Sequence, residues 1–132
     1  MRAIILIFLG FCTGVQADTI DHYMNIANQI PQMEIKADPQ SQTWARSART
    51  VMTLTCDNII DSLNLANHLV TQKGQPLFCL PAETQLTTEQ LDSLIQQTYR
   101  ENQSQTSDKN KMTVSQVALM GLEKQFPCEK AG

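Results

Sequence analysis

The chain has 132 residues, 42% of them apolar, 17% charged and 5% aromatic, which fits one globular domain and excludes a collagen-like or disordered chain. Ten cations against 13 anions give a formal charge of −3. So thin a scatter of cations cannot neutralise the phosphates of a nucleic acid, nor hold the chain on an anionic lipid surface.

Residues 1–17 read as an export leader. Met1 and Arg2 give a cationic start, Ala3 to Val15 form an apolar run, and Val15-Gln16-Ala17 has the small-x-small pattern of a signal peptidase site. Cleavage after Ala17 leaves 18–132 as a single domain in the periplasm. The run is shorter than the roughly 20 residues that span a bilayer, and Cys12 follows Phe11 rather than a small residue, so neither a membrane anchor nor lipidation is expected. Three cysteines then remain, Cys56, Cys79 and Cys128. They allow at most one intramolecular bridge, with the third thiol free or paired between chains. A bridge between Cys79 and Cys128 would close a loop of about 50 residues, roughly 4 kcal/mol in the chain-entropy model.

No strand-length alternation occurs beyond the leader, and apolar residues recur at steps of three and four, so the domain reads as all-α. The first helix is expected over about Asp18 to Gln29, with Ile20, Tyr23, Met24, Ile26 and Ala27 on one side and Asp18 and Asp21 in the opening turn. Pro31 should stop it, and Gln32 to Gln40, with Pro39, should be a connector. From Ser41 to Gln72 the apolar positions are Trp44, Ala48, Val51, Met52, Cys56, Ile59, Ile60, Leu63, Ala66, Leu69 and Val70. They predict one long amphipathic helix or two joined near Thr55, where Asp57 offers an N-cap. Gly74 and Pro76 end it.

Phe78 to Leu80 is an apolar plug before Pro81. A third helix starts at Thr87, with Gln90 completing a capping box, and buries Leu91, Leu94, Ile95 and Tyr99. Arg100 to Lys111 contains almost nothing apolar and reads as a long loop, a kind of segment that often carries function. Thr113 and Gln116 form a second capping box, opening a helix that buries Val114, Val117, Ala118, Gly121, Leu122 and Phe126 and ends at Pro127. The expected fold is therefore a small helical bundle of about four to five helices.

Catalytic chemistry is not legible. His22 and His68 are the only histidines, and neither lies in an HExxH, GxSxG or Cys-His context. Cys56 and His68, twelve residues apart along a helix, are about 18 Å apart and cannot share a metal. Asp57 and Asp61 share a helix face but read as a solvated pair, and Asp108-Lys109-Asn110-Lys111 lacks the ligand register of a calcium loop. Met24, Met52, Met112 and Met120 read as core filler, and Cys56 as a buried thiol in register with the apolar face. No enzyme activity, metal or cofactor is expected.

The second half of the chain has the order Cys56-Asp57-Asn58-Ile59-Ile60, Phe78-Cys79-Leu80-Pro81, a capped helix ending near Tyr99, a polar gap, a helix with small residues, and Phe126-Pro127-Cys128. It resembles, over about residues 44 to 128, the Rap/Tai family of periplasmic immunity proteins, which protect bacteria against type VI secretion effectors, notably cell-wall amidases. The resemblance implies a small, mostly helical and often dimeric protein that occludes the effector's active-site cleft. It also implies a disulfide between Cys79 and Cys128, both beside prolines at helix limits. Members often carry a further cysteine upstream of the one matching Cys56; here Trp44 to Thr55 contains none, which leaves Cys56 unpaired.

The expected function is thus binding and occlusion of a secreted effector, a peptidoglycan amidase, in the periplasm, with a homodimer as the further partner. The polar gap supplies the candidate contact residues: Tyr99 as an anchor at its base, then Arg100, Glu101, Asn102, Gln103, Ser104, Asp108, Lys109, Asn110 and Lys111. The alternative is a small disulfide-linked helical acid-stress chaperone, which should unfold or dissociate near pH 3.

Overall fold

The computed structural model describes residues 19–102 and 111–129. Four helices make up an all-α fold: α1 (Ile20–Glu34), α2 (Pro39–Thr71), α3 (Thr88–Glu101) and α4 (Val114–Gln125). Helix α2 packs against α1 and α3, and α4 lies on α3. Their shared core includes Ile20, Tyr23, Met52, Cys56, Phe78, Leu91, Ile95, Val117 and Leu122.

Both capping boxes form as the sequence predicts. Thr87 accepts from the Gln90 backbone N–H while its own N–H donates to the Gln90 side chain, and Thr113 and Gln116 repeat the arrangement. The starts of α1 and α4 are tied together: Ile20 N–H donates to the Met112 carbonyl at 2.8 Å, and the two N-cap residues, Thr19 and Thr113, form an antiparallel bridge. A helix-start N–H that α1 itself cannot satisfy is thereby paired.

Pro31 does not stop α1, which runs on to Glu34. Proline forfeits one helical hydrogen bond, but Ile30 is buried and keeps the last turn docked. The end of the helix is capped from α2, where Gln42 Nε2 donates to the carbonyls of Glu34 at 2.7 Å and Lys36 at 2.6 Å. The connector shrinks accordingly to 35–38. Asp38 is the N-cap of α2, accepting from Ser41 N–H at 2.9 Å, and Pro39 is its first helical residue, where a fixed φ and a missing N–H are harmless.

Helix α2 passes Thr55 and Asp57 without a break over 33 residues, about 50 Å. Its apolar positions divide between two faces. Ala48, Met52, Cys56 and Ile59 are buried, whereas Val51 and Leu69, expected on the same face, are solvent-exposed together with Leu54 and Leu65. Met120 is likewise exposed rather than core filler, and Tyr99, Met112 and Phe126 are only half-buried.

The Cys79–Cys128 disulfide is present, with the Cα atoms 5.0 Å apart, and Cys56 is free and buried. Two further ties hold the bridged segment. Cys79 N–H donates to the Phe126 carbonyl at 2.8 Å. Asn67, in the last turns of α2, accepts from Leu77 N–H at 2.7 Å and Phe78 N–H at 3.2 Å and donates to the Phe78 carbonyl at 3.0 Å. That one amide satisfies the backbone where Phe78 dives into the core.

Candidate functional site

The contact residues expected from the polar gap divide three ways. Arg100 and Glu101 do not belong to a loop: they form the last turn of α3, where a cation suits the negative helix end. Glu101 is engaged by Lys124 of α4 and by Gln97, and these partners hold its carboxyl below the usual range. Asn102 is the C-cap, folding its side chain back to the Thr98 carbonyl at 2.7 Å. Tyr99 and Asn102 share a shallow dimple with Met112, Val117 and Met120, and Lys111 is exposed nearby in the sequence at the approach to α4. Gln103, Ser104, Asp108, Lys109 and Asn110 lie outside the described residues.

Close approach of α3 and α4 sets this end of the bundle. Gly121 faces Thr98 and Leu94 so tightly that a Cβ there would lie 2.5 Å from Thr98 Oγ1 and 2.9 Å from Leu94 Cγ. The glycine is needed because there is no room for a methyl group, not for its backbone freedom.

A larger concavity, of about 450 Å³, opens between α1, α2 and the first half of α3. That is within the size range of ligand sites. Ala27, Ile30, Pro31 and Met52 supply apolar wall, and Arg49, Glu89, Asp92 and Gln96 supply polar wall. Each polar group has a structural reason for its position. Arg49 forms a two-point ion pair with Glu34, whose carboxyl is held below its usual range mainly by that guanidinium. Glu89 stands in the first turn of α3, where its own backbone N–H and the hydroxyls of Thr88 and Thr87 also hold its carboxyl low.

Asp92 is fixed from the core side. It accepts from Tyr23 OH of α1 at 2.6 Å and from Gln96 Nε2 at 3.0 Å. Tyr23 OH also lies 3.3 Å from Cys56 Sγ on α2, so one phenol joins three helices at the base of the groove. Burial pushes the Tyr23 hydroxyl far above its ordinary value, and its bonds to Asp92 and Cys56 add to this. Burial also pushes the Cys56 thiol up, with Asp92 and Glu89 contributing in the same direction. A thiol kept protonated is a poor nucleophile, so Cys56 is a packing residue, as its register in α2 predicts.

Asp57 and Asp61 are both exposed, and His68 is exposed with Gln72 beside it at 3.0 Å. Among the described residues, no group of three or more His, Cys, Asp or Glu side chains is placed to hold a metal, and no helix is long and apolar enough to cross a membrane. Sequence reasoning missed Asn67, Arg49, Glu89 and Asp92; of these only Glu89, an acid in a helix's first turn, carried a local signal. No family model, curated protein or solved structure matches the chain.

Proposed function

We propose that this chain is a periplasmic immunity protein that binds a secreted type VI effector, a peptidoglycan amidase, and occludes its catalytic cleft without turnover of its own. The observation that carries the reading is the pair of motifs on which the family resemblance rests, Phe78-Cys79-Leu80-Pro81 and Phe126-Pro127-Cys128. The disulfide that the resemblance implies joins them, and the leader-like residues 1–17 suit an exported protein. The end of α3 supplies the first contact residues, with Tyr99 as the aromatic anchor and Asn102 in the same dimple, and the exposed Arg100 and Lys111 are the cations that flank the polar gap in sequence.

A second copy is the other partner. Val51, Leu54, Leu65 and Leu69 are each between 50 and 60% exposed along one face of α2, an apolar stripe of the kind that marks an interaction surface. An antiparallel pairing of two α2 helices about residue 60 sets Val51 of one copy against Leu69 of the other, Leu54 against Ala66 and Leu65 against Thr55, in the reciprocal way a two-fold interface requires. Light scattering should give a dimer for the protein and a monomer for Leu65→Glu; a monomeric parent would dispose of this interface.

The decisive experiment starts from the gene beside this one, which the immunity reading expects to encode a toxin. Directed to the periplasm, it should lyse cells unless this protein is co-expressed, and the two should co-elute as a complex. Replacing 102–110 with a Gly/Ser linker should leave the fold intact and weaken protection. A folded variant that protects fully removes 102–110 from the contact and leaves it to a helix face or to 72–75, and an adjacent toxin that neither binds nor is neutralised overturns the immunity reading. A chaperone would instead lose its fold or dissociate near pH 3 and suppress aggregation of acid-denatured proteins there, which the immunity reading does not expect.

A further inference from the structure

The groove between α1, α2 and α3 is built asymmetrically in charge. Two carboxylates, Glu89 and Asp92, line it with one guanidinium, Arg49, and the guanidinium is already engaged at two points by Glu34, which is not part of the lining. Among the described residues, no lysine or histidine lines the wall. An anionic ligand would meet two carboxylates and a cation already satisfied. A purely apolar ligand would strip water from Glu89 and Asp92 without replacing their hydrogen bonds, which is costly.

A cation on an aliphatic stem meets neither objection. Ala27, Ile30 and Met52 offer a surface along which methylenes can lie, and the carboxylates stand at the α3 side to take the charged head. Arginine suits this better than lysine, because its planar fork of donors can meet a carboxylate at two points and the hydroxyls of Thr53 and Thr88 as well. The acceptor is preorganised: Tyr23 and Gln96 hold Asp92 in place before anything binds, so little side-chain freedom is lost on binding.

We propose that this groove is a receptor for an arginine side chain projecting from a partner protein. The identification of that partner as the effector rests on the immunity reading; the chemistry of the groove does not. The contact is distinct from the one at Tyr99, which lies on the α3/α4 side of the bundle.

The test titrates the 15N-labelled protein with the blocked peptide acetyl-Gly-Arg-Gly-amide and, in parallel, with its citrulline and glutamate counterparts. Arginine should shift the backbone amides of Thr53 and of Thr88 to Gln96 progressively, and citrulline, equal in shape but uncharged, should bind about fivefold or more weakly. Glu89→Gln should weaken the arginine peptide by a similar factor and leave the melting temperature close to that of the parent, since Glu89 is exposed. Asp92→Asn should also weaken it, but that variant loses part of the Tyr23 contact, so Glu89→Gln is the decisive one. Equal binding of citrulline and arginine, no effect of Glu89→Gln, or arginine shifts centred on Asp57 and Asp61 would each overturn the assignment. A positive titration with an adjacent toxin that fails to bind overturns the immunity reading alone; a failed titration with a toxin that binds overturns the groove alone.

Discussion

Gly121→Ala should destabilise the protein although it replaces a helical glycine with the best helix former. The substitution gains about 1 kcal/mol of helix propensity. Against this, the new methyl group lies 2.5 Å from Thr98 Oγ1 and 2.9 Å from Leu94 Cγ, well inside the roughly 3.5 to 4.0 Å at which non-bonded carbons rest. Neither atom is the free end of a long side chain: one branches from Cβ of a buried threonine, and the other carries both methyl groups of a buried leucine. Relief therefore requires a rotamer change or a shift of α4 on α3, and overpacking of this kind costs about 1 to 3 kcal/mol. Two independent clashes place the cost in the upper half of that range, so the net loss is about 1 to 2 kcal/mol, or roughly 4 to 8 °C in melting temperature for a domain of this size. Urea denaturation followed by circular dichroism measures it. Thr98→Ala in the Gly121→Ala background should recover part of the loss, giving a coupling of about 0.5 to 2 kcal/mol in the double-mutant cycle. If Gly121→Ala is as stable as the parent, or its effect simply adds to that of Thr98→Ala, then α3 and α4 do not approach as described.

Removing the disulfide with Cys79→Ser and Cys128→Ser together should cost about 4 kcal/mol, the loop-closure value for a sequence separation of 49; a loss under about 1 kcal/mol by urea denaturation would show that the Asn67 clamp alone confines the segment. Asn67→Ala should cost about 2 to 4 kcal/mol, because three hydrogen bonds to Leu77 and Phe78 go at once, and amide exchange at those two residues should accelerate. Alkali should unfold the protein through Tyr23 and Cys56. Both folded values are raised, from 10.0 and 9.0, so the unfolded chain releases protons first and stability is full below pH 9. It then falls as pH climbs through 9 and 10, by up to about 1.4 kcal/mol per pH unit for each group. Absorbance at 295 nm should show Tyr23 ionising only with unfolding, and its ionisation in the folded protein would contradict its burial.

What the sequence made legible was local. Thr87 with Gln90 and Thr113 with Gln116 are three residues apart, so each capping box is complete within its own helix. The misreadings lie where a distant group decided the outcome. Pro31 has the look of a stop, and the burial of Ile30 with Gln42, reaching back to Glu34 and Lys36, explains why it is not one. Glu101 has the look of loop, and Lys124, 23 residues on, pairs with it at the end of α3. In α2, steps of three and four do not distinguish one broad apolar face from two narrow ones; Val51 beside Met52 belongs to the outer stripe because α1 and α3 together cover only the inner side. The groove was invisible for the same reason: Arg49 and Asp92 sit in ordinary amphipathic context, and only packing brings them to one cavity.

The Tyr23 to Asp92 bond shows how stability and binding are joined in this fold. It spans 69 residues of sequence and ties α1 to α3 under the groove, so the carboxylate that would meet a cation is positioned by a core residue rather than by the surface. Tyr23→Phe tests that coupling. Losing a hydrogen bond to a charged acceptor should cost about 1.5 to 3 kcal/mol at neutral pH, while the part of the alkaline loss that begins at pH 10 should vanish, because phenylalanine has no proton to release. Asp92 would keep only Gln96 as a holder, and arginine peptide binding should weaken without any change in the groove's charge. Glu89→Gln does the reverse, altering charge and sparing the core. If Tyr23→Phe left peptide affinity untouched while Glu89→Gln reduced it, charge alone would govern the groove and positioning by the core would play no part.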